Sequence, residues 1–243
     1  MALPDSEVER VLVVVAHPDD ADFASSGTVA TWAEAGITVS YCCITDGDAG
    51  GFDPAVDRAV IPGIRQREQR AAAAELGVTD VHFLGYPDGR LELSIPLRRD
   101  ISRVIRTVRP QRVITQSPTR NWQRIYASHP DHLLAGEATL CAVYPDARNP
   151  FAHPELLAEE GLEPWTVAEV WMMAGPSEQL NRFVDVTDKL DRKIAALRAH
   201  ESQTAHMDDL EGLLTAWMGG QAYQAGYEPG RLAEAYHVID TQG

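Results

Sequence analysis

The chain has 243 residues and a formal net charge of -15, from 36 acidic and 21 basic side chains. That balance excludes the basic face that duplex nucleic acid needs and sets the chain against an anionic membrane surface. The 3 cysteines, at 42, 43 and 141, form neither a zinc-type spacing nor an even-numbered disulfide framework, so a reducing compartment is expected.

In chain order, MALPDSEVER is acidic and lacks the apolar core of a signal segment. No later apolar run approaches the roughly 20 residues that span a bilayer. A cytoplasmic location is therefore expected. Val11–Val15 is an unbroken apolar run, almost all β-branched, and reads as a buried parallel strand. It ends abruptly in His17-Pro18-Asp19-Asp20, where Pro18 blocks further ladder bonding. Ser25–Ala35 reads as a helix capped by Ser25 or Ser26 and stopped at Gly36.

Ile37–Ile44 is a second buried strand, with Cys42 and Cys43 on opposite faces. A strand–helix–strand unit of this kind predicts a parallel pair with a right-handed crossover. The Gly-rich loop Thr45–Gly51 follows. It lacks the GxGxxG spacing, and Asp46 and Asp48 would repel a pyrophosphate, so it reads either as a plain loop or as a wall offering acceptors to hydroxyl groups.

Ile64–Leu76 is a helix, Asp80–Leu84 a strand, and Gly85–Gly89 a turn. Ile95–Val108 is an amphipathic helix whose Arg98, Arg99, Arg103 and Arg106 read as a solvated face. After Pro110 comes the strand Arg112–Thr115, then a long loop, 116–128, of the length at which loops tend to be functional. It delivers His129-Pro130-Asp131-His132 to a helix at about 130–143.

Beyond Tyr144, YPDARNPFAHPELL reads as a lid or rim, with Arg148 and Asn149 on a salt-bridged edge. The strands 167–173 and 182–186 follow, then helices at 187–199, capped by Thr187, and 210–218. The last element is an edge strand at 233–239. No repeat or linker divides the chain, which predicts one α/β domain with a core at about 8–145 and the remainder contributing to a cleft.

Two His/Asp clusters, each just beyond a buried strand, can meet at one end of one sheet, where open α/β folds place their sites. His17, Asp20 and His132 make a two-histidine, one-carboxylate set with coordination positions left open, as catalytic zinc sites require. Asp19 would stand beside the ion without binding it and suits a general base. His129 suits an oxyanion donor or an acid for a leaving amine, and Asp131 a partner that fixes a histidine tautomer. These parts suffice for metal-assisted amide hydrolysis. The same ligand set also suits iron or another divalent ion, and thus a non-haem Fe(II) oxygenase.

AHPDD after the first strand, RxxE at Arg65–Glu68, LGYPDG at Leu84–Gly89 and HPDH at 129–132 resemble the LmbE-like, or PIG-L, family of zinc-dependent N-acetylglucosaminyl deacetylases. The stretch around His200, Ser202 and Gln203 is similar too. The resemblance implies a Rossmann-like, mostly parallel sheet flanked by helices. It implies zinc on His17, Asp20 and His132, Asp19 as base, and His129 as the protonated group tuned by Asp131. Arg65 and Asp88 match sugar-binding positions, and Asp48 falls near a third.

The sequence departs from the family where Ala21 replaces a Glu, and where Ala127 stands in the place of a Tyr, with Tyr126 one position earlier. The implied substrate is a small N-acylated amino sugar, or, with the same machinery, an amide of a thiol conjugate. A homo-oligomer is left open.

Overall fold

A computed structural model describes residues 3–52 and 55–242. In chain order the strands are β1 (Arg10–Val15), β2 (Thr38–Thr45), β3 (Asp80–Tyr86), β4 (Arg112–Gln116), β5 (Glu169–Met173), β6 (Arg182–Asp185) and β7 (Ala233–Asp240). The helices are α1 (Asp20–Glu34), α2 (Ile61–Glu75), α3 (Ile95–Val108), α4 (Pro130–Cys141), α5 (Pro154–Ala158), α6 (Leu190–Arg198), α7 (Glu201–Thr204) and α8 (Leu210–Gln224). No helix among the described residues is long and apolar enough to cross a membrane.

The strands form a mixed sheet in the order β3-β2-β1-β4-β5-β7-β6. β3, β2, β1, β4 and β5 run parallel, β7 is antiparallel to β5, and β6 is antiparallel to β7. From β1 the chain winds outward to β3, then returns to place β4 on the other side of β1. The order therefore reverses between β1 and β4, and a crevice opens beyond their C-terminal ends. Pairing of Val14 with Thr115 ends these two strands level with each other.

The β1 side chains alternate between two cores. Val11, Val13 and Val15 pack with Trp32, Ala72 and Ala73 on one face, and Leu12 and Val14 with Leu97, Ile101 and Ala138 on the other. These five of the six β1 residues are fully buried, each stabilising the fold by about 1.5–3 kcal/mol. Cys43 faces the first core and Cys42 the second, and both are free thiols.

Several local expectations need correction. α1 starts at Asp20, not Ser25. Ser25 and Ser26 are buried in its interior and donate back to the Ala21 and Asp22 carbonyls at 2.9 and 2.6 Å. The Thr187 segment is a short 3-10 turn ahead of α6. β7 is not an edge strand, since it lies between β5 and β6.

The α3 arginines are not all solvated. Arg106 is 2% exposed and donates to the carbonyls of Asp146, Ala147, Asn149 and Ala152, while Arg98 pairs with Asp146 at 2.6 and 2.9 Å. These bonds clamp the stretch read as a lid onto α3. Arg148 donates to the backbone and hydroxyl oxygens of Thr241, both at 3.0 Å, instead of forming a salt-bridged rim.

Candidate active site

Both His/Asp clusters lie in the crevice between β1 and β4. The first follows β1 directly and runs into α1 at Asp20, and Asp19, the residue before that helix, has φ 93° and ψ -27°. Such left-handed backbone is uncommon for a residue with a side chain and costs on the order of 1–3 kcal/mol. Neighbours hold it there. The Asp19 N–H donates to Gln69 Oε1 at 2.8 Å, and Arg65 Nη2 donates to Asp19 Oδ2 at 2.9 Å and to the Pro18 carbonyl.

The second cluster opens α4. This helix crosses very close to the end of β4 because residue 136 is glycine. A Cβ there would lie 2.2 Å from the Gln116 carbonyl oxygen. That approach brings His132, one turn earlier on α4, to the end of β1.

Asp20 sits between the two histidines. Its Oδ2 lies 3.3 Å from His17 Nδ1 and its Oδ1 lies 3.0 Å from His132 Nε2. Gln116 Nε2 and the His17 N–H donate to Oδ2 at 2.9 and 2.7 Å and fix the carboxylate. The far nitrogen of each imidazole is engaged elsewhere. His17 Nε2 faces Asp88 Oδ1 at 3.1 Å and Asp131 Oδ2 at 3.4 Å, and His132 Nδ1 faces the Ala127 carbonyl at 3.3 Å.

Those acceptors draw the ring hydrogens to the far nitrogens, so the near nitrogens turn lone pairs toward the Asp20 oxygens. Without an ion a proton on each imidazole bridges it to Asp20, and a divalent cation can take the place of those protons. Two ligands about 2.0–2.1 Å from a tetrahedral ion stand roughly 3.3 Å apart, so the donor set fits a divalent metal. Two trios bring ligand atoms within 4.8 Å of one another, His17, His129 and His132, and His17, Asp88 and Asp131; Asp20 is in neither, since a different oxygen of its carboxylate faces each histidine.

The electrostatics favour positive charge. Burial opposes a charge on His17, but Asp20, Asp131 and Asp88 outweigh it and push its pKa up to about 12. His132 is likewise raised by Asp20 against its burial. Burial works against charge on Asp131 too, yet His17 and the Gly89 and Leu91 N–H groups hold its carboxyl below the usual range. Asp19 moves the other way. Burial raises its pKa to about 6, with Arg65 restraining the rise and Asp20 adding to it.

His129 opens α4 and accepts the Asp131 N–H on Nδ1 at 3.2 Å. Burial, His17 and His132 lower its pKa, the direction opposite to the protonated state expected of it. Asp131 was expected to tune His129. Its charge does raise the His129 pKa, against the larger lowering by burial, and its carboxylate also holds His17 and accepts from Gly89 and Leu91 at 2.7 and 3.3 Å. Gly89, with φ 76°, lets the 85–91 turn present those N–H groups.

The expected sugar contacts are also engaged within the protein. Arg65 is 3% exposed and braces Asp19. Asp88 faces His17 and accepts the Ala49 N–H at 3.2 Å. Asp48 accepts the Asp88 N–H at 2.8 Å and pairs with Arg58 at 2.6 Å, so it supports the turn that carries Asp88.

Sequence reasoning missed Gln69, Gln116 and the Asp22–His200 pair. Gln69 Nε2 and His200 Nε2 meet Asp22 Oδ2 at 2.7 and 2.9 Å. Gln69 was readable as the residue one helical turn after Arg65, and Gln116 as a polar residue closing a buried strand.

A cavity of about 880 Å³ adjoins the cluster, with Asp20, Gln116, Ala127 and His132 in its wall. Tyr126 lines it too, 70% exposed, its hydroxyl taken by Arg124. The opposite wall comes from α8 and the segment after β5, and no residue of the 144–168 stretch contributes.

Fold and cluster together define a Rossmann-like protein with a candidate metal centre at its topological switch point. The chain belongs to the PIG-L family, whose model, described as GlcNAc-PI de-N-acetylase, matches residues 12–143. It is similar to diacetylchitobiose deacetylase of Thermococcus kodakarensis, 34% identical over 200 residues covering 82% of this chain and 72% of that one. It is 32% identical over 243 aligned positions to 1D-myo-inositol 2-acetamido-2-deoxy-alpha-D-glucopyranoside deacetylase of Acidothermus cellulolyticus, covering 82% and 80% of the two chains. Among solved structures it resembles N,N'-diacetylchitobiose deacetylase from Pyrococcus horikoshii, with TM-score 0.87, 27% identity and coverage of 97% and 85%.

Proposed function

We propose that the protein is a zinc-dependent amide hydrolase that removes an N-acetyl group from an amino sugar. The observation that carries this reading is the Asp19 carboxylate, held by Arg65 outside the His17–Asp20–His132 cluster that fits the ion. The names of its relatives supply the substrate class.

His17, Asp20 and His132 would hold the metal. The ion, when bound, supplies a nucleophilic water at neutral pH and polarises the acyl carbonyl. Asp19 accepts the proton that the water gives up, and its raised pKa suits a base working near neutrality. Arg65 and the strained backbone keep that carboxylate aimed. His129 carries its hydrogen on Nε2, because Nδ1 is occupied as an acceptor, and as a neutral imidazole donates a hydrogen bond to the developing oxyanion while keeping that proton. The proton on Asp19 then passes to the departing amine. Asp131 and Asp88 orient His17, and Asp48 braces Asp88.

The test is acetate release from N-acetylglucosamine and its glycosides by metal-stripped protein, with and without added zinc. Acetate and free amine in equal amounts, only with zinc, is the expected result. No acetate from any of these with stoichiometric zinc bound would overturn the reading.

A further inference from the structure

The cavity beside the cluster is apolar where it leaves the metal ligands. Most of its wall is apolar, with Phe23 on α1, Met173 at the end of β5, Leu180, and Leu214 and Trp217 on α8. Gln123, Arg124, Ser177, Gln221 and Gln224 also line it. Among the described lining residues Asp20 is the sole carboxylate, and it belongs to the ion end with His132. At about 880 Å³ the chamber lies in the range of roughly 300–1,000 Å³ that encloses a drug-sized ligand, far beyond the needs of one methyl group.

A hydroxyl-rich sugar would lose hydrogen bonds against the apolar part of this wall. The polar groups Asp48, Asp88 and Arg58 lie on the opposite, Nε2 side of His17, and none lines the chamber. Leu213 and Tyr126, which do line it, are 53% and 70% exposed, so apolar surface remains open for an occupant.

We propose that this chamber receives the acyl chain of the substrate, and that the protein therefore prefers N-acyl amines with chains longer than acetyl. The proposal rests on the amide-hydrolase reading above. Water adds to the acyl carbon, the C–N bond breaks, and the products are the alkyl carboxylate, lying along the chamber, and the free amine. Each methylene buried there favours binding on the order of fourfold.

Two measurements test it on the zinc-loaded protein. The first is kcat/KM for N-acetyl-, N-butyryl-, N-hexanoyl- and N-octanoylglucosamine. The second is calorimetric binding of octanoate against acetate. A rise in kcat/KM along the series, and octanoate at least tenfold tighter than acetate, are expected. Gly220 lines the chamber and a Cβ there meets nothing within 4 Å, so Gly220→Phe is the substitution chosen to narrow it. This variant is expected to lower the octanoyl-to-acetyl kcat/KM ratio, and the octanoate affinity, at least tenfold.

Hydrolysis of the acetyl compound with no gain along the series would overturn the chamber proposal and leave the hydrolase reading standing. Tight octanoate binding abolished by Gly220→Phe, with no amide cleaved, would sink the hydrolase reading and with it the proposed preference. Equal binding of octanoate and acetate, in a protein whose self-association Gly220→Phe abolishes, would assign the chamber to a second copy of the chain and overturn the proposal.

Discussion

Asp131 Oδ2 lies 3.4 Å from His17 Nε2, so the first turn of α4 grips the histidine that follows β1. Asp131 is 1% exposed and accepts two backbone N–H groups from the 85–91 turn, which leaves its carboxylate little freedom. It therefore fixes the His17 tautomer that turns Nδ1 toward Asp20. Asp131→Asn is expected to weaken zinc binding about 10- to 100-fold in chelator competition, the usual cost of removing a group that orients a ligand.

His129 is the control, because it belongs to an alternative ligand trio. If Asp20 is the third ligand, Asp20→Ala loses the metal and His129→Ala keeps it. The reverse pattern would reassign the site to His17, His129 and His132.

The parts of the fold that could be read from sequence are those whose signal is local. The β1 and β2 runs, Gly77 after α2 and Pro110 before β4 each mark an element within a few residues. The two clusters were legible because each sits immediately beyond a buried strand. The remainder depends on partners far along the chain. α1 reads as starting at Ser25, but its true first turn, from Asp20, is held from afar, where the Asp22 and Phe23 carbonyls meet Lys193. Arg106 reads as solvated, yet it finds four carbonyls that no helical periodicity reveals. Arg65, Asp88 and Asp131 were legible as residues of the site. Their contacts were not, since each joins elements that meet only once the sheet is assembled.

Asp19→Asn tests the base without emptying the site. The amide is nearly isosteric and its oxygen still accepts from Arg65, while Asn tolerates left-handed backbone. Zinc content is expected to stay stoichiometric while turnover falls about 10²- to 10⁴-fold, the usual contribution of a positioned base. Retained turnover in the zinc-loaded variant would remove Asp19 from the base role.

Gly136→Ala tests how α4 is seated. The new Cβ would stand 2.2 Å from the Gln116 carbonyl oxygen and 3.0 Å from the Pro118 nitrogen, so α4 must shift away from β4. Such overpacking costs about 1–3 kcal/mol. A fall in Tm together with weaker zinc binding is expected, because His132 rides on the same helix. Unchanged Tm and zinc affinity would show that α4 has room to move.

His200 gives stability a pH dependence of its own. It is fully buried, with Nε2 2.9 Å from Asp22 Oδ2. Burial opposes its charge, but the hydrogen bond and charge of Asp22 prevail, so its pKa is raised above 6.5. In the unfolded chain His200 titrates near 6.5, so below that pH both states are protonated and the ion pair contributes in full. As pH rises from there through the folded-state value, the unfolded chain loses its proton first and the contribution disappears. His200→Gln keeps a donor for Asp22 without a titrating group. The Tm difference between wild type and this variant is therefore expected to be larger at pH 6 than at pH 9. A difference that stays constant, or grows with pH, would show that His200 is neutral in the folded protein. Asp22→Ala strands both His200 and Gln69, and the loss of one partner from a buried pair is expected to cost about 3–5 kcal/mol in urea unfolding at pH 6.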